Sequence, residues 1–258
     1  MNVREQLIIR LRGMRKIIGF VATMLMLTLT GFKGTGTFES VAVIELYTSE
    51  GCSSSPPADE LLGKTILQAN RDGKKIYAIA LHVDYWNRLG WKDSFSTNQF
   101  SERQQSYVQN LNLHGAYTPQ MVVNGRTEFV GSDEGALDQA LNKALATNAT
   151  AAFTSLKITE PAGKGIGVHY ELQGDFSDSE IHLALVSLHE VTAVKRGENG
   201  GRTLKHSNVV RQLLTGRVQA FGEMQFAGYP VPSRDNLSVI AFVQRKTDGQ
   251  IIAASETH

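Results

Sequence analysis

The sequence predicts an α/β fold in two parts, a half that mixes strands and helices followed by an antiparallel β-rich half. Three observations predict it. Apolar runs of strand and helix period alternate from Val41 to about Leu145. Helical period disappears from Thr150. Beyond that point short β-rich runs are separated by Gly, Asp, Asn and Ser. A chain of 258 residues is long enough for two ordinary cores. Its 26 basic and 25 acidic residues leave a net charge of +1, which gives no polyanion-binding surface, so no nucleic-acid partner is expected.

The N-terminus carries a different signal. Arg4, Arg10, Arg12, Arg15 and Lys16 precede the apolar run Ile17–Leu29, the pattern of a secretory signal peptide and too short to span a bilayer comfortably. No Ala-x-Ala cleavage site follows, and Gly34-Thr-Gly36 is the nearest approximation. Residues 1–36 are therefore expected to be a leader, cleaved or kept as an anchor, on an extracytoplasmic protein. Contact with a membrane is expected only through an uncleaved leader.

The first strand is Val41-Ala-Val-Ile-Glu-Leu-Tyr47. After it, Ala58, Leu61, Leu62, Thr65, Ile66 and Ala69 share a helical face. Lys75–Val83 reads as a second, buried strand. From Thr97 to about Leu113, Phe100, Tyr107, Val108 and Leu111 form one face of a second helix, and His114-Gly115 supply a stop. Gln120–Val123 and Arg126–Gly131 flank Asn124-Gly125, a hairpin signal. A third helix follows through Leu137, Leu141, Ala144 and Leu145, with Ser132 as its expected N-cap. This β-α-β-α-β-β-α order is that of the thioredoxin fold, and it assigns residues 37–150 to a thioredoxin-like domain.

Residues 151–258 are expected to form a second domain, an antiparallel sandwich-like unit. Its strands are read at Phe153–Glu160, Ile166–Gln173, Ile181–Val191, roughly Val209–Val218, and Leu237–Arg245. Lys195–Arg202 reads as a mobile loop.

The chemistry centres on the chain's one cysteine, Cys52, between the first strand and the first helix. A helix N-terminus offers unpaired N–H groups and positive potential, and both favour a thiolate. The plainer alternative is a small semi-apolar residue at a helix start, with Ser55 as N-cap and Pro56 in the first turn. A single cysteine forms no internal disulfide, so in an oxidising compartment it is either buried or free to pair with another thiol.

Four motifs in order resemble one family. Glu45-Leu-Tyr-Thr-Ser-Glu-Gly-Cys-Ser-Ser-Ser-Pro-Pro-Ala-Asp59 is the first, and His82-Val-Asp-Tyr-Trp86 with Gly90-Trp-Lys-Asp93 is the second. Tyr117-Thr-Pro-Gln-Met-Val-Val-Asn-Gly125 and His206-Ser-Asn-Val-Val-Arg211 complete them. Together they resemble the thioredoxin-like secreted bacterial proteins grouped as domain of unknown function 1223. The resemblance implies a fold and a periplasmic or secreted location, but little biochemistry. Members of that family commonly show Cys-Ser-Ser-Cys, whereas this chain has Ser55 in place of the second sulfur, which puts dithiol chemistry in doubt. Thr118-Pro119 matches the Thr-Pro that such folds set opposite the redox turn, usually with a cis bond that exposes backbone to an extended substrate. An ordinary proline at a strand start is the alternative.

Cys52, Ser55 and Pro119 are thus the candidate catalytic residues, and Thr118, His82, Asp84, Tyr85, Trp86 and Trp91 the candidate binding residues. Tyr85, Trp86 and Trp91 form either a ligand wall or a cap on the core. His82 and Asp84 share a strand face and, with Cys52 and His114, are conceivable metal donors. That spacing matches no ligand motif and more often marks a hydrogen-bonded pair, so no metal is expected. No phosphate loop or Gly-x-Ser-x-Gly elbow is present, and no cofactor is expected. The expected function is thiol exchange or redox sensing by a monothiol oxidoreductase, with a protein or small thiol of unknown identity as partner. The alternative is a redox-inactive binding module.

Overall fold

A computed structural model describes residues 37–160, 165–228 and 234–257. The expected leader, residues 1–36, lies outside the described residues. Strand β1 (Ala42–Thr48) is buried along its whole length and runs parallel to β2 (Ile76–His82) from Ala42↔Ile76 to Thr48↔His82. Its other edge takes β3 (Gln120–Val123) antiparallel, and β4 (Thr127–Val130) completes the hairpin through Asn124-Gly125, both with positive φ.

Alternation along these strands divides two layers. Ile44, Leu46, Ala80 and Met121 face helix α1 (Pro56–Asp72) and helix α3 (Glu134–Leu145), packing on Ala58, Leu62 and Leu137. Val43, Tyr47, Ile79 and Leu81 point the other way, toward Phe100 and Tyr107 of helix α2 (Asn98–Asn110). Asp133, not Ser132, caps α3, its carboxylate accepting from Ala136 N–H at 2.9 Å.

The second half joins this sheet. Strand β8 (Thr203–Arg217) lies parallel to β2 at Ala80↔Val209, and β7 (Ser179–Ala193), β10 (Leu237–Arg245) and β11 (Ile251–Glu256) extend the order to β11-β10-β7-β8-β2-β1-β3-β4. A separate antiparallel sheet, β5 (Ala151–Thr159), β6 (Gly165–Gly174) and β9 (Phe221–Ala227), packs its Val168, Leu172 and Phe226 on Leu183, Val239 and Ala241.

The fold is therefore mixed α/β, with one large mixed sheet and one smaller antiparallel sheet. The expected boundary at residue 150 is corrected. Val186, Val210 and Phe242 from beyond it share a core with Val43, Leu81 and Phe100 from before it, and the described residues, from Thr37 onward, form one unit. What changes at residue 150 is the kind of element.

Candidate functional site

The turn after β1 places Cys52 at the head of α1, with Sγ 3.1 Å from Ser54 Oγ and 3.7 Å from the Thr118 carbonyl oxygen. The Thr118–Pro119 peptide bond is cis and Pro119 is buried. Gly131 lets the chain pass close behind it, since a Cβ there would stand 3.1 Å from Pro119 Cβ and 3.0 Å from Leu46 Cδ1. Trp86 Nε1–H donates to Thr118 Oγ1 at 2.8 Å, which fixes Thr118 facing the cysteine turn.

Ser55 does not cap α1 with its side chain. Its backbone is already helical (φ −73°, ψ −38°), outside the extended range that aims an N-cap hydroxyl at the first turn. Its carbonyl accepts from Ala58 N–H at 2.9 Å, and its buried Oγ has no partner.

Cys52 itself is only 2% exposed. Lys195–Arg202, read from the sequence as a mobile loop, lies over it as a strap. Asn199, fully buried, donates from Nδ2 to the carbonyls of Glu50 at 3.0 Å and Cys52 at 2.9 Å. Glu198 accepts from Ser53 N–H at 2.9 Å and from Ser53 Oγ at 2.7 Å, and these bonds hold its carboxyl below the usual range.

The aromatic residues are supports rather than an open wall. Tyr85 donates to Gln104 Oε1 at 3.1 Å, and burial pushes its hydroxyl up to about 12. Trp91 Nε1–H donates to Glu50 Oε2 at 2.8 Å. Two open clefts, about 410 Å³ between α1 and α3 and about 360 Å³ beside Arg103 and His182, are lined by neither Cys52 nor Pro119.

His82 and Asp84 part company. Asp84 accepts from Ser101 Oγ at 2.6 Å, while His82 turns inward and its Nδ1 lies 2.7 Å from Asp93 Oδ2. His114 is exposed, unlike buried His82. Burial works against ionisation of Asp93, yet His82 and the N–H groups of Glu50 and Phe95 hold its carboxyl below the usual range. Around His82 the structure assembles buried side chains that the sequence did not join: Glu50, Asp59 and His206. His206 Nδ1 is 3.2 Å from Asp59 Oδ1, and its Nε2 is 3.6 Å from Glu50 Oε1. Burial opposes a charged ring, but the two carboxylates outweigh it and push His206 up to about 10.

A family profile described as "Protein of unknown function (DUF1223)" matches residues 43–244. The chain belongs to this family. The match spans every residue of the arrangement, from Glu50 and Cys52 through Pro119 to Asn199 and His206, so both halves of the site fall within the DUF1223 region. Among solved structures, the chain is similar to a crystallised protein of Agrobacterium tumefaciens at 27% identity and a TM-score of 0.64, covering 84% of this chain and 94% of that one. It also resembles HBP35 of Porphyromonas gingivalis at 17% identity and a TM-score of 0.62, covering 86% and 76%. No curated protein matches the chain.

Glu198 and Asn199 were not singled out by the sequence, and Glu50 and Asp93 were only letters within the quoted motifs. Asp59 and His206 were visible only inside quoted motifs, and nothing in their spacing says that α1 and β8 converge.

Proposed function

We propose that this DUF1223 chain is an exported, thioredoxin-like monothiol protein. In this reading Cys52 exchanges with a partner disulfide held along Thr118-Pro119. The placement of Sγ at the head of α1, 3.7 Å from the Thr118 carbonyl beside the cis bond, carries the reading. The thiolate attacks one sulfur of the disulfide, the Sγ–S bond forms as the S–S bond breaks, and the other sulfur leaves as a thiolate. With Ser55 in place of a resolving sulfur, a second external thiol must release the mixed disulfide. The reaction is therefore exchange with no net oxidation, and the partner is a protein or a small thiol.

The 2% exposure of Cys52 favours a second reading, a binding module in which the cysteine is only a packed residue. Exchange requires the Glu198–Asn199 strap to lift; the binding module does not. Mass spectrometry of protein purified from its native compartment separates the two. A disulfide adduct on Cys52 supports exchange, and a thiol that stays unmodified in an oxidising compartment supports the binding module.

A further inference from the structure

The buried polar cluster beneath the cysteine turn has no part in the exchange chemistry. Glu50, Asp59, His82, Asp93 and His206 are each 5% exposed or less, and they come from the turn after β1, from α1, from the end of β2, from the loop after it and from β8. One donor atom from each of Asp59, His82 and His206 lies within 4.8 Å of the others. Three side-chain atoms of the cluster are buried with no hydrogen bond: His82 Nε2, and His206 Nε2 and Glu50 Oε1, which face each other at 3.6 Å. Interiors rarely leave such atoms unpaired, and here three share one cluster.

We propose that Asp59, His82 and His206 bind one divalent transition-metal ion of the zinc class, with Glu50 as an adjacent oxygen donor.

The donor chemistry selects the ion. Two imidazoles and a carboxylate suit zinc and its neighbours, whereas calcium and magnesium take all-oxygen sites. The surroundings are those of ligands already oriented. His82 Nδ1 is engaged by Asp93 at 2.7 Å, which leaves Nε2 for the ion, and Asp93 is itself fixed by the N–H groups of Glu50 and Phe95 at 2.9 Å each. His206 stands between two carboxylates, so whichever nitrogen takes the ion, the other faces an acceptor. Asp59 Oδ2 is held by Thr48 Oγ1 at 3.0 Å. The Phe95 ring lies edge-on to both imidazoles, with centroids at 5.2 and 6.0 Å. Donors about 2.1 Å from a tetrahedral ion stand roughly 3.4 Å apart, so occupancy draws the cluster inward.

The test uses the full chain stripped of metal, dialysed against Zn²⁺ and titrated with Co²⁺ as a spectroscopic probe. The expected result is one equivalent retained, a melting temperature that rises with metal concentration, and visible Co²⁺ bands without sulfur charge transfer. Cys52→Ser and His114→Gln should bind as wild type. Asp93→Asn should bind about 10- to 100-fold more weakly, and His82→Gln should lose the equivalent. X-ray absorption of the zinc-loaded wild type, showing imidazole and oxygen donors, keeps the test decisive if the buried variants fail to fold. Metal not retained by the wild type, sulfur among the donors, or full binding by folded His82→Gln overturns the proposal.

Discussion

Replacing Asn199 with alanine should open the cysteine turn without touching the thiol. Its amide donates to the carbonyls of Glu50 at 3.0 Å and Cys52 at 2.9 Å, and Arg202 steadies its oxygen at 2.8 Å. Two bonds between strap and cysteine turn are lost; Cys52 O keeps a second donor, Ser55 N–H at 3.2 Å, and the Glu50 carbonyl is left without its donor. At about 1 kcal/mol net for each bond, the strap loses about 2 kcal/mol of closing free energy. If Cys52 reacts only when the strap is open, the open population and the rate rise roughly 30-fold. The assay is the rate of iodoacetamide alkylation of the folded protein, at reagent levels where opening equilibrates first, with urea unfolding followed in parallel to separate global loss of stability. A change of less than about threefold in a folded variant would show that the strap does not control access, and the strap account would fall.

Three further outcomes are expected. Arg103 pairs with Glu45 through Nε and Nη2, and Arg103→Met strands a fully buried carboxylate, which should cost about 3–5 kcal/mol at pH 7 by urea denaturation. Burial pushes Glu45 up, but Arg103 outweighs it and holds the group low, so the pair stabilises above the unfolded carboxylate range and loses this as pH falls through the lowered folded value; the gap between wild type and variant should narrow in acid. Gly131→Ala should lose about 1–3 kcal/mol, because its Cβ would crowd Leu46, Pro119 and Ala58 at 3.0 to 3.2 Å, and a neutral result in thermal melts would show that the Pro119 turn yields freely. Ser55→Cys should form a disulfide with Cys52 on oxidation, detectable as loss of both free thiols, since the buried Ser55 Oγ has no bond to give up.

The elements that were legible are those whose period is set by burial on one face. β1, α1 and β10 follow their apolar runs, and β10 begins and ends where expected, at Leu237 and Arg245. β9 escaped because Phe221, Glu223 and Gln225 are exposed and Gly222 breaks the run, and β11 escaped as a short segment after a turn. The joining of the halves left no local trace, since it depends on one parallel register, Ala80↔Val209, between segments that each look complete alone. The same reason hid the buried cluster. Cys52 and Thr118-Pro119 were readable as motifs, whereas Asp59 and His206 become neighbours only when β8 docks beside β2. The Gly-rich, charged loop at Lys195–Arg202 has the composition of a mobile segment, and the side chains of Glu198 and Asn199 make it an anchor.

The central claim, that Cys52 is an exchange thiol, is met most directly by incubating the folded protein with glutathione disulfide and following the intact mass over time. The account predicts a single adduct on Cys52, absent in Cys52→Ser, formed faster than the protein unfolds and faster again in Asn199→Ala. An adduct that appears only at the rate of global unfolding, in both proteins alike, would contradict it.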